Sequence, residues 1–434
     1  MTWQEEYQNK LVSVETAAAS IKSGNIIFTS AGPSCPIDII NAVSARYKEL
    51  ENVHIASGLL TYPFEYLKAE YKGHITHHSG FLGPLERMFM PQGNIRIRPY
   101  QFSKVDKVIP RRHYDVAIYE VSAPDERGYM SFGPQGTFSN AIISRYAGRV
   151  IVQVNRKTPF VNGMEAHIHV SQIDMICEKD HDLVEIPDAP IGEDERQLAS
   201  HIVERIPDGA CIQLGFGKIA NAVGFLLESK KDLGVHSEML TNSMMVLAQK
   251  GVITCARKNY QTGTMVCSFA IGPRALYDYM DHNPMVTMLP IYQICAPETI
   301  AKIDNFISIN NALCIDLMGQ IGSESIGFTM YSGTGGQLDF VRGASQSKGG
   351  KSFIALLSTA QTKNGLISRI NTALPLGTIV TTPRTDVQCV VTEYGVADLM
   401  DLSLSQTAEA LIAIAHPSFR DQLRHDAKKA GLLY

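Results

Sequence analysis

The sequence predicts an α/β fold of two tandem, open domains of similar topology, each built on a largely parallel sheet. Short apolar runs rich in β-branched residues recur along the chain, as in NIIFTS (25–30), DVAIYEV (115–121) and ACIQL (210–214). Segments of helical periodicity separate many of these runs, an alternation typical of strands that pair in parallel through crossover helices. With 434 residues, the chain is long enough for two or three domains.

The domain boundary is predicted in the segment VEIPDAPIGEDERQ, residues 184–197. Two prolines, a glycine and an acidic cluster separate two periodic segments there, as expected of a linker. We place the boundary near residue 190. This gives an N-terminal domain over residues 1–190 and a C-terminal domain over residues 191–434.

The two halves of the sequence repeat one pattern. Residues 23–43 and 208–223 each read as a strand, a glycine-containing turn and a helix. Downstream, ENVHIASGLL (51–60) resembles GVHSEML (234–240) through a shared Val-His pair, so that Glu238 corresponds to Ala56. A similar echo links residues 114–128 with 385–399. Convergent strand–turn–helix patterning is the alternative explanation for these likenesses.

Composition excludes several classes of function. A net charge of −4, with 19% charged residues and no Lys/Arg blocks, argues against a nucleic-acid partner. The polar start and the absence of any apolar run near 18 residues argue against a signal peptide and a membrane span. Eight scattered cysteines without a CxxC pair fit reduced, buried thiols in a cytoplasmic protein. No metal site is expected.

The segment GFGKIA (215–220) leaves the role of Glu238 open. It follows a predicted strand, opens a helix and fits a loose dinucleotide fingerprint, with Glu238 about 20 residues later as a ribose-binding acid. A helix N-terminus, however, offers N–H donors to any anion. A nicotinamide-dependent oxidoreductase therefore stays open, as does a purely structural turn.

Two further segments resemble known sites without satisfying them. SQSKGGKS (345–352) has Ser345 where a phosphate-binding P-loop needs glycine, and it leads into a strand instead of a helix. The histidines of GHITHHSG (73–80) lack a convincing acidic or cysteine partner nearby, and His167 and His169 of EAHIHV (165–170) alternate along a predicted strand and share one face. We interpret these histidines as structural residues or pocket donors.

A second glycine-dense turn occurs in SGTGGQLDFVRGA (332–344). Its glycines let the backbone approach a ligand and point N–H groups at an oxyanion, and Leu338, Phe340 and Val341 are expected to anchor it. One carboxylate with two glycine turns is consistent with covalent catalysis on an activated acyl group.

These motifs resemble the acetyl-CoA hydrolase/transferase family of class I CoA-transferases, in particular the 4-hydroxybutyrate and butyrate:acetate CoA-transferases. The matching segments, which run through nearly the whole chain in a consistent order, are VSAPDERGYMSFG (121–133), QLGFGKIANAV (213–223), GVHSEML (234–240), LYDYMDHNPMV (276–286), SGTGGQLDFVRGA (332–344), SKGGKSFIAL (347–356) and VVTEYGVADL (390–399). The resemblance implies an active site at the interface of the two domains and a homodimer or tetramer.

The resemblance also implies a mechanism and its residues. Glu238 is the expected nucleophile of a ping-pong CoA transfer between short-chain acids through a glutamyl-CoA thioester, with acyl-CoA as substrate and no cofactor. The expected CoA-binding and oxyanion residues are Gln213, Leu214, Gly215, Phe216, Gly217, Leu313, Gly335, Gly336, Gln337 and, as a phosphate contact, Lys363. Phe216 and Ala220 depart from the usual G-I-G-x-I-P turn. A thioesterase on the same fold and a non-catalytic metabolite-binding module are the remaining alternatives.

Overall fold

The computed structural model describes residues 2–135 and 138–434. The chain forms two compact units, Met1–Pro187 with Val266–Gln293, and Asp188–Met265 with Ile294–Tyr434. The expected division at residue 190 treated each domain as one continuous segment, whereas Val266–Gln293 belongs with the first unit. Backbone hydrogen bonds hold it there, since Met164 N donates to Met288 O and Met288 N donates to Asn162 O, both at 2.9 Å.

The helices in the described part of the chain are short and are numbered in chain order. They are α1 (Trp3–Lys10), α2 (Val14–Ala19), α3 (Ile37–Ala45), α4 (Pro84–Phe89), α5 (Val105–Val108), α6 (Asn140–Tyr146), α7 (Glu193–Val203), α8 (Lys218–Leu226), α9 (Asn242–Gln249), α10 (Arg274–Met280), α11 (Ile291–Ile294), α12 (Pro297–Ile300), α13 (Gln337–Gln346), α14 (Leu404–Ala413) and α15 (Pro417–Lys429). Among the described residues, no helix is long and apolar enough to cross a lipid bilayer.

The first unit is built on a seven-stranded sheet in which every described pairing is parallel. Its strands are β1 (Ile26–Thr29), β2 (Val53–Ser57), β3 (Ile75–Ser79), β4 (Ile95–Ile97), β5 (Tyr114–Val121), β6 (Ala147–Val154) and β7 (Met175–Glu178). Their order is β4-β3-β2-β1-β5-β6-β7. The central strand β5 is almost entirely buried, as expected of a parallel strand covered on both faces.

The second unit contains a six-stranded sheet. Its strands are β8 (Cys211–Leu214), β9 (Gly234–Val235), β10 (Phe306–Asn311), β11 (Lys351–Ala355), β12 (Cys389–Thr392) and β13 (Gly395–Asp398). The order is β9-β8-β10-β11-β12-β13, parallel throughout except for β13, which runs antiparallel to β12. The predicted α/β class with largely parallel sheets is confirmed.

Shorter strands lie outside the two large sheets. They are Tyr129–Ser131, His167–His169, Met239–Leu240, Met265–Cys267, Phe269–Ala270, Val286–Met288, Cys314–Asp316, Ile321–Gly322, Ser325–Ile326, Thr329–Met330, Thr359–Thr362, Gly365–Ser368 and Ile370–Asn371.

The two sheets support two of the three internal likenesses. β1 pairs with β2 as β8 pairs with β9, which matches both the repeat of strand, turn and helix and the likeness of residues 51–60 to 234–240. The echo between residues 114–128 and 385–399 does not correspond to equivalent positions. β5 lies next to β1, whereas β10 and β11 separate β12 from β8. A similar apolar run predicts a strand, but it does not determine the position of that strand in the sheet.

Candidate active site

Glu238 lies in a bend at the carboxyl end of β9, immediately before the strand Met239–Leu240. The preceding His236 and Ser237 are fully buried, and the backbone N–H of His236 donates to Ile212 O of β8 at 3.2 Å. Glu238 itself is only partly buried. The carboxyl ends of parallel strands are where ligands bind in open α/β sheets. The fold therefore leaves this carboxylate accessible on an otherwise buried segment.

The second glycine turn meets Glu238 directly. A Cβ placed on Gly336 would overlap Oε1 of Glu238, so the carboxylate lies against the bare backbone at this position. The backbone N–H of Gly336 also donates a hydrogen bond to the carboxylate. Gly336 is the residue that precedes α13, so its N–H has no hydrogen-bond partner within the helix and can serve the carboxylate.

The thiol of Cys295 also contacts the carboxylate of Glu238. Its Sγ donates to Oε1 of Glu238 at 3.4 Å. Burial raises the pKa of Glu238 to about 7, and the negative charge of Asp339 in the first turn of α13 acts in the same direction. The thiol and the Gly336 N–H favour the charged form and so act in the opposite direction. A carboxyl group that titrates near neutral pH is characteristic of functional sites.

The turn 332–336 is anchored, as its sequence predicted. Phe340 and Val341 behind it are fully buried. On its other side, Thr334 Oγ1 donates to Oε2 of the buried Glu324 at 3.1 Å. Gly335 has φ +62°, a left-handed conformation that suits glycine. The turn therefore holds its backbone donors in a defined place.

The first glycine turn connects β8 to α8. Gly217 precedes the helix with φ +114°, and Asn311 Nδ2 donates to Phe216 O at 2.6 Å. The side chain of Phe216 is 47% exposed. The order of strand, turn and helix agrees with the sequence prediction. A turn of this kind can bind the phosphates of either CoA or a nicotinamide cofactor.

Comparison with known proteins identifies the family, which the geometry of this turn leaves open. Residues 1–187 match the acetyl-CoA hydrolase/transferase N-terminal domain, and residues 272–427 match the C-terminal domain of the same name. The chain belongs to the acetyl-CoA hydrolase/transferase family. It is 41% identical to the butyryl-CoA:acetate CoA-transferase of Anaerostipes caccae, over 100% of this chain and 99% of the relative.

One further relative of this acetyl-CoA hydrolase/transferase is also named a CoA-transferase, and a solved structure shares the fold of the whole chain. The 4-hydroxybutyrate coenzyme A transferase of Clostridium kluyveri is 40% identical, over 99% of this chain and 100% of the relative. The crystal structure of RipA from Yersinia pestis superposes with a TM-score of 0.94, at 34% identity, and each chain is covered completely. The predicted family is confirmed, and the protein is an enzyme with CoA-transferase activity.

The structure places the predicted CoA-binding residues of this acetyl-CoA hydrolase/transferase in different surroundings. The amide of Gln213 is buried and exchanges hydrogen bonds with Asn310, from Nε2 to Oδ1 at 3.2 Å and in return at 3.1 Å. Gln337 Nε2 donates to Thr382 Oγ1 at 3.2 Å. Contacts from Gln213 and Gln337 to CoA stay predictions, and the amide pairing suggests that Gln213 supports the turn through its side chain.

The remaining predicted residues lie in the strand β8 and in separate connecting segments of the second unit. Leu214 is buried in β8, and Gly215 follows it, with its N–H bonded to Ile309 O at 2.8 Å. Leu313 N donates to Gly322 O at 2.9 Å. Lys363 is exposed in the turn between the strands Thr359–Thr362 and Gly365–Ser368. Their contacts to CoA also stay predictions.

Two residues at the site were not singled out from the sequence. Cys295 was noted only as one of eight scattered cysteines, and its contact with Glu238 spans 57 positions. Asp339 stood within the second glycine motif without a role. A contact between distant segments leaves no local pattern in the sequence, so the role of Cys295 could not be predicted from its neighbours. Asp339 could have been found from its place in the helical turn after Gly336.

The histidines considered as metal ligands have other partners. His77 Nε2 lies 2.9 Å from Glu86 Oε1, and His78 Nε2 lies 3.0 Å from His54 Nδ1. His167 Nε2 lies 2.8 Å from Val161 O. Within residues 2–135 and 138–434, no three His, Cys, Asp or Glu side chains cluster as metal ligands would. The structural interpretation of these histidines agrees with their contacts.

The segment 345–352, set aside as a P-loop, joins a helix to a strand. α13 ends at Gln346 and β11 begins at Lys351. A P-loop requires the opposite order, from strand to helix.

Proposed function

We propose that this enzyme transfers CoA between short-chain carboxylic acids through covalent intermediates on Glu238. The observation that carries the proposal is the contact between a partly exposed carboxylate and the backbone of Gly336. A carboxylate in this position has a free oxygen for attack and a fixed N–H donor beside it. The titration of Glu238 near pH 7 leaves a large fraction ionised at neutral pH.

The chemistry needs no atoms beyond the substrates and Glu238. A carboxylate oxygen of Glu238 attacks the acyl-CoA carbonyl, the C–S bond breaks, and a mixed anhydride and CoA thiolate form. The thiolate attacks the glutamyl carbonyl, the anhydride C–O bond breaks, and the donor acid leaves as its carboxylate. A glutamyl-CoA thioester remains. A second carboxylate reverses both steps and departs as the new acyl-CoA, which regenerates Glu238.

The two glycine turns have distinct proposed roles. The N–H of Gly336 is placed to stabilise the oxyanion that develops during each attack, because it already donates to the reacting carboxylate. Phe216 and Gly217, at the start of α8, offer backbone N–H donors to CoA, and the exposed Phe216 ring offers an apolar surface beside them.

The proposed substrates are acids of the acetate, butyrate and 4-hydroxybutyrate type. This choice is supported by the names of two full-length relatives that are about 40% identical. The first-domain segments TSAGPSCP (29–36) and GLLTYPFE (58–65) also depart from the family's usual sequence, which leaves the preferred pair to experiment. A panel of carboxylates offered with acetyl-CoA, each scored by its new acyl-CoA, would rank the acceptors.

Borohydride trapping tests the covalent step. We expect acyl-CoA followed by borohydride to convert the Glu238 side chain to an alcohol, detected by peptide mass spectrometry, with Glu238→Gln as the unlabelled control. Transfer that continues with no modification of Glu238 would overturn the mechanism. Release of free CoA at the same rate with and without an acceptor acid would make the enzyme a hydrolase.

We further propose a homo-oligomer acting in the cytoplasm. The eight cysteines, which all lie within the described residues, are buried and form no disulfide, and this supports a reducing compartment. Sedimentation of the purified enzyme tests the oligomer, and a monomer at assay concentration would contradict it.

A further inference from the structure

Cys295 joins the nucleophile to a second segment of the fold. It lies between α11 and α12, is fully buried, and follows the point where the chain returns to the second unit at Ile294. Its Sγ donates to Oε1 of Glu238 at 3.4 Å, a suitable distance for a thiol donor. The same oxygen lies against Gly336. Both described contacts therefore involve one oxygen of the carboxylate.

A neighbouring hydrogen bond fixes the two segments in register. His236 lies two residues before Glu238, and its Nε2 is 2.9 Å from the carbonyl oxygen of Ile294, the residue before Cys295. Because that partner is an acceptor, Nε2 must carry the proton. Burial lowers the pKa of His236 to about 3, so the ring is neutral. The imidazole bond and the thiol bond thus connect residues 236–238 to residues 294–295 twice.

The Cys295 segment is also packed against the helix that carries the glycine turn. A Cβ on Gly343 of α13 would overlap Ile300 of α12, so the two helices are in close contact there. Cys295 precedes α12, and Gly336 precedes α13. Both contacts to Oε1 therefore originate from helices that are packed together, which limits their movement relative to the carboxylate.

The chemistry of the thiol makes it a donor and not a competing nucleophile. Burial raises the pKa of Cys295 well above its ordinary value, and the charges of Glu238 and Asp339 act in the same direction. The thiolate is the reactive form of cysteine, so a thiol that stays protonated does not attack a nearby thioester. It retains the S–H that a carboxylate oxygen can accept.

We propose that Cys295 is a positioning residue whose thiol, aligned by the His236–Ile294 hydrogen bond, holds Oε1 of Glu238 and directs Oε2 toward the acyl-CoA carbonyl. The inference rests on the proposed covalent role of Glu238. Among the described residues, the titratable side chains that act on this carboxylate are the thiol of Cys295 and the carboxylate of Asp339. Asp339 raises the pKa of Glu238, whereas the Cys295 thiol and the Gly336 N–H lower it. Loss of the thiol therefore removes one of the two hydrogen bonds that favour the ionised carboxylate.

Substitutions of Cys295 distinguish a role in positioning the Glu238 carboxylate from a role in packing the protein core. We expect Cys295→Ala to lower kcat roughly tenfold, since a hydrogen bond to a charged group is lost, while KM for acyl-CoA is unchanged. The acidic limb of the pH–rate profile should move to higher pH, because a group that favours ionised Glu238 is removed. Cys295→Ser keeps a donor and should recover most of kcat. Cys389→Ala, which removes another buried thiol from β12, is the matched control.

The outcomes distinguish this inference from the proposed function. Equal kcat values and equal acidic limbs for Cys295→Ala and Cys389→Ala would overturn it. A Cys295→Ser variant as slow as Cys295→Ala, with unchanged melting temperatures, would also overturn it, because the donor would then be irrelevant. Borohydride trapping is run on the wild type in parallel. Failure to label wild-type Glu238 refutes the covalent mechanism itself, whereas normal labelling with no Cys295 effect refutes only the positioning role.

Discussion

The carboxylate of Glu238 lies against the Cα of Gly336, in the space that any Cβ at position 336 would occupy. Only glycine allows the two to meet without displacement of the carboxylate. Gly336 thus has two roles: its N–H donates to the carboxylate, and its lack of a side chain leaves the space that the carboxylate occupies. This pair gives the most direct test of the site.

Gly336→Ala should inactivate the enzyme and leave its fold intact. The added methyl group displaces the carboxylate, and misplacement of a reacting group by about 1 Å can cost on the order of a hundredfold in rate. We expect kcat to fall by about that factor, with a melting temperature close to that of the wild type. Ser345→Ala, on the exposed side of the same helix, is the control. Wild-type kcat for Gly336→Ala would rule out the described contact.

The pH dependence of transfer should follow the ionisation of Glu238. Its pKa of about 7 means that the attacking carboxylate is lost as the pH falls below 7. We expect kcat/KM to decrease about tenfold per pH unit on the acidic side. Measurement between pH 5 and 9 with acetyl-CoA and butyrate checks this. A profile that stays flat down to pH 5 would contradict it.

Asp339→Asn should shift this acidic limb to lower pH. The negative charge of Asp339 raises the pKa of Glu238, so removal of the charge lowers that pKa and keeps the carboxylate ionised in more acidic solution. The shift is opposite in direction to that expected for Cys295→Ala. The pH–rate profiles of both variants, measured together, provide the check, and a shift of both in the same direction would refute the assignment.

Glu238→Gln should stabilise the protein, and more strongly at pH 8 than at pH 5. Folding raises the pKa of this carboxyl group above its unfolded value, so the folded state favours the protonated form. At pH 8 the folded wild type must hold a charge in partly buried surroundings, whereas at pH 5 the group is protonated. Thermal unfolding of both proteins at the two pH values tests this. A larger gain at pH 5 would reverse the inferred sign.

Gln213→Ala should affect stability more than CoA binding. Loss of the amide leaves Oδ1 of the buried Asn310 without its Gln213 donor, although Asn310 Nδ2 keeps its bond to Ser308 Oγ, and the unpaired oxygen costs about 1–3 kcal/mol of unfolding free energy. Asn310→Ala and the double variant complete a cycle in which the two losses should not add. KM for acyl-CoA should stay close to the wild-type value. An increase in KM with unchanged stability would instead support direct CoA contact by Gln213.

The sequence predicted those features that local pattern determines. The strands, the two glycine turns and the equivalence of β1 with β8 follow from periodicity and turn chemistry within short segments. Glu238 stood out because it ends the second copy of a repeated strand, where the first copy has Ala56. Family resemblance then supplied its chemical role, which spacing alone left open.

Features that depend on distant segments could not be predicted. The contact of Cys295 with Glu238 and the association of Val266–Gln293 with the first unit are both set by tertiary packing. The likeness of residues 114–128 to 385–399 wrongly suggested equivalent positions in the two sheets. The composition of a strand does not specify which strand it pairs with. The amide pair of Gln213 and Asn310 likewise joins two strands that are 97 positions apart.

The passage of Val266–Gln293 through the first unit limits how the enzyme can be divided for expression. A fragment that starts at residue 191 would carry Leu276, Tyr277 and Met280, which are buried in the full chain. The Tyr277 hydroxyl would lose its acceptor, the carbonyl of Val184, which lies upstream of the cut. The second unit is therefore not a simple truncation product. Its isolation calls for excision of this segment and a short synthetic linker from residue 265 to residue 294.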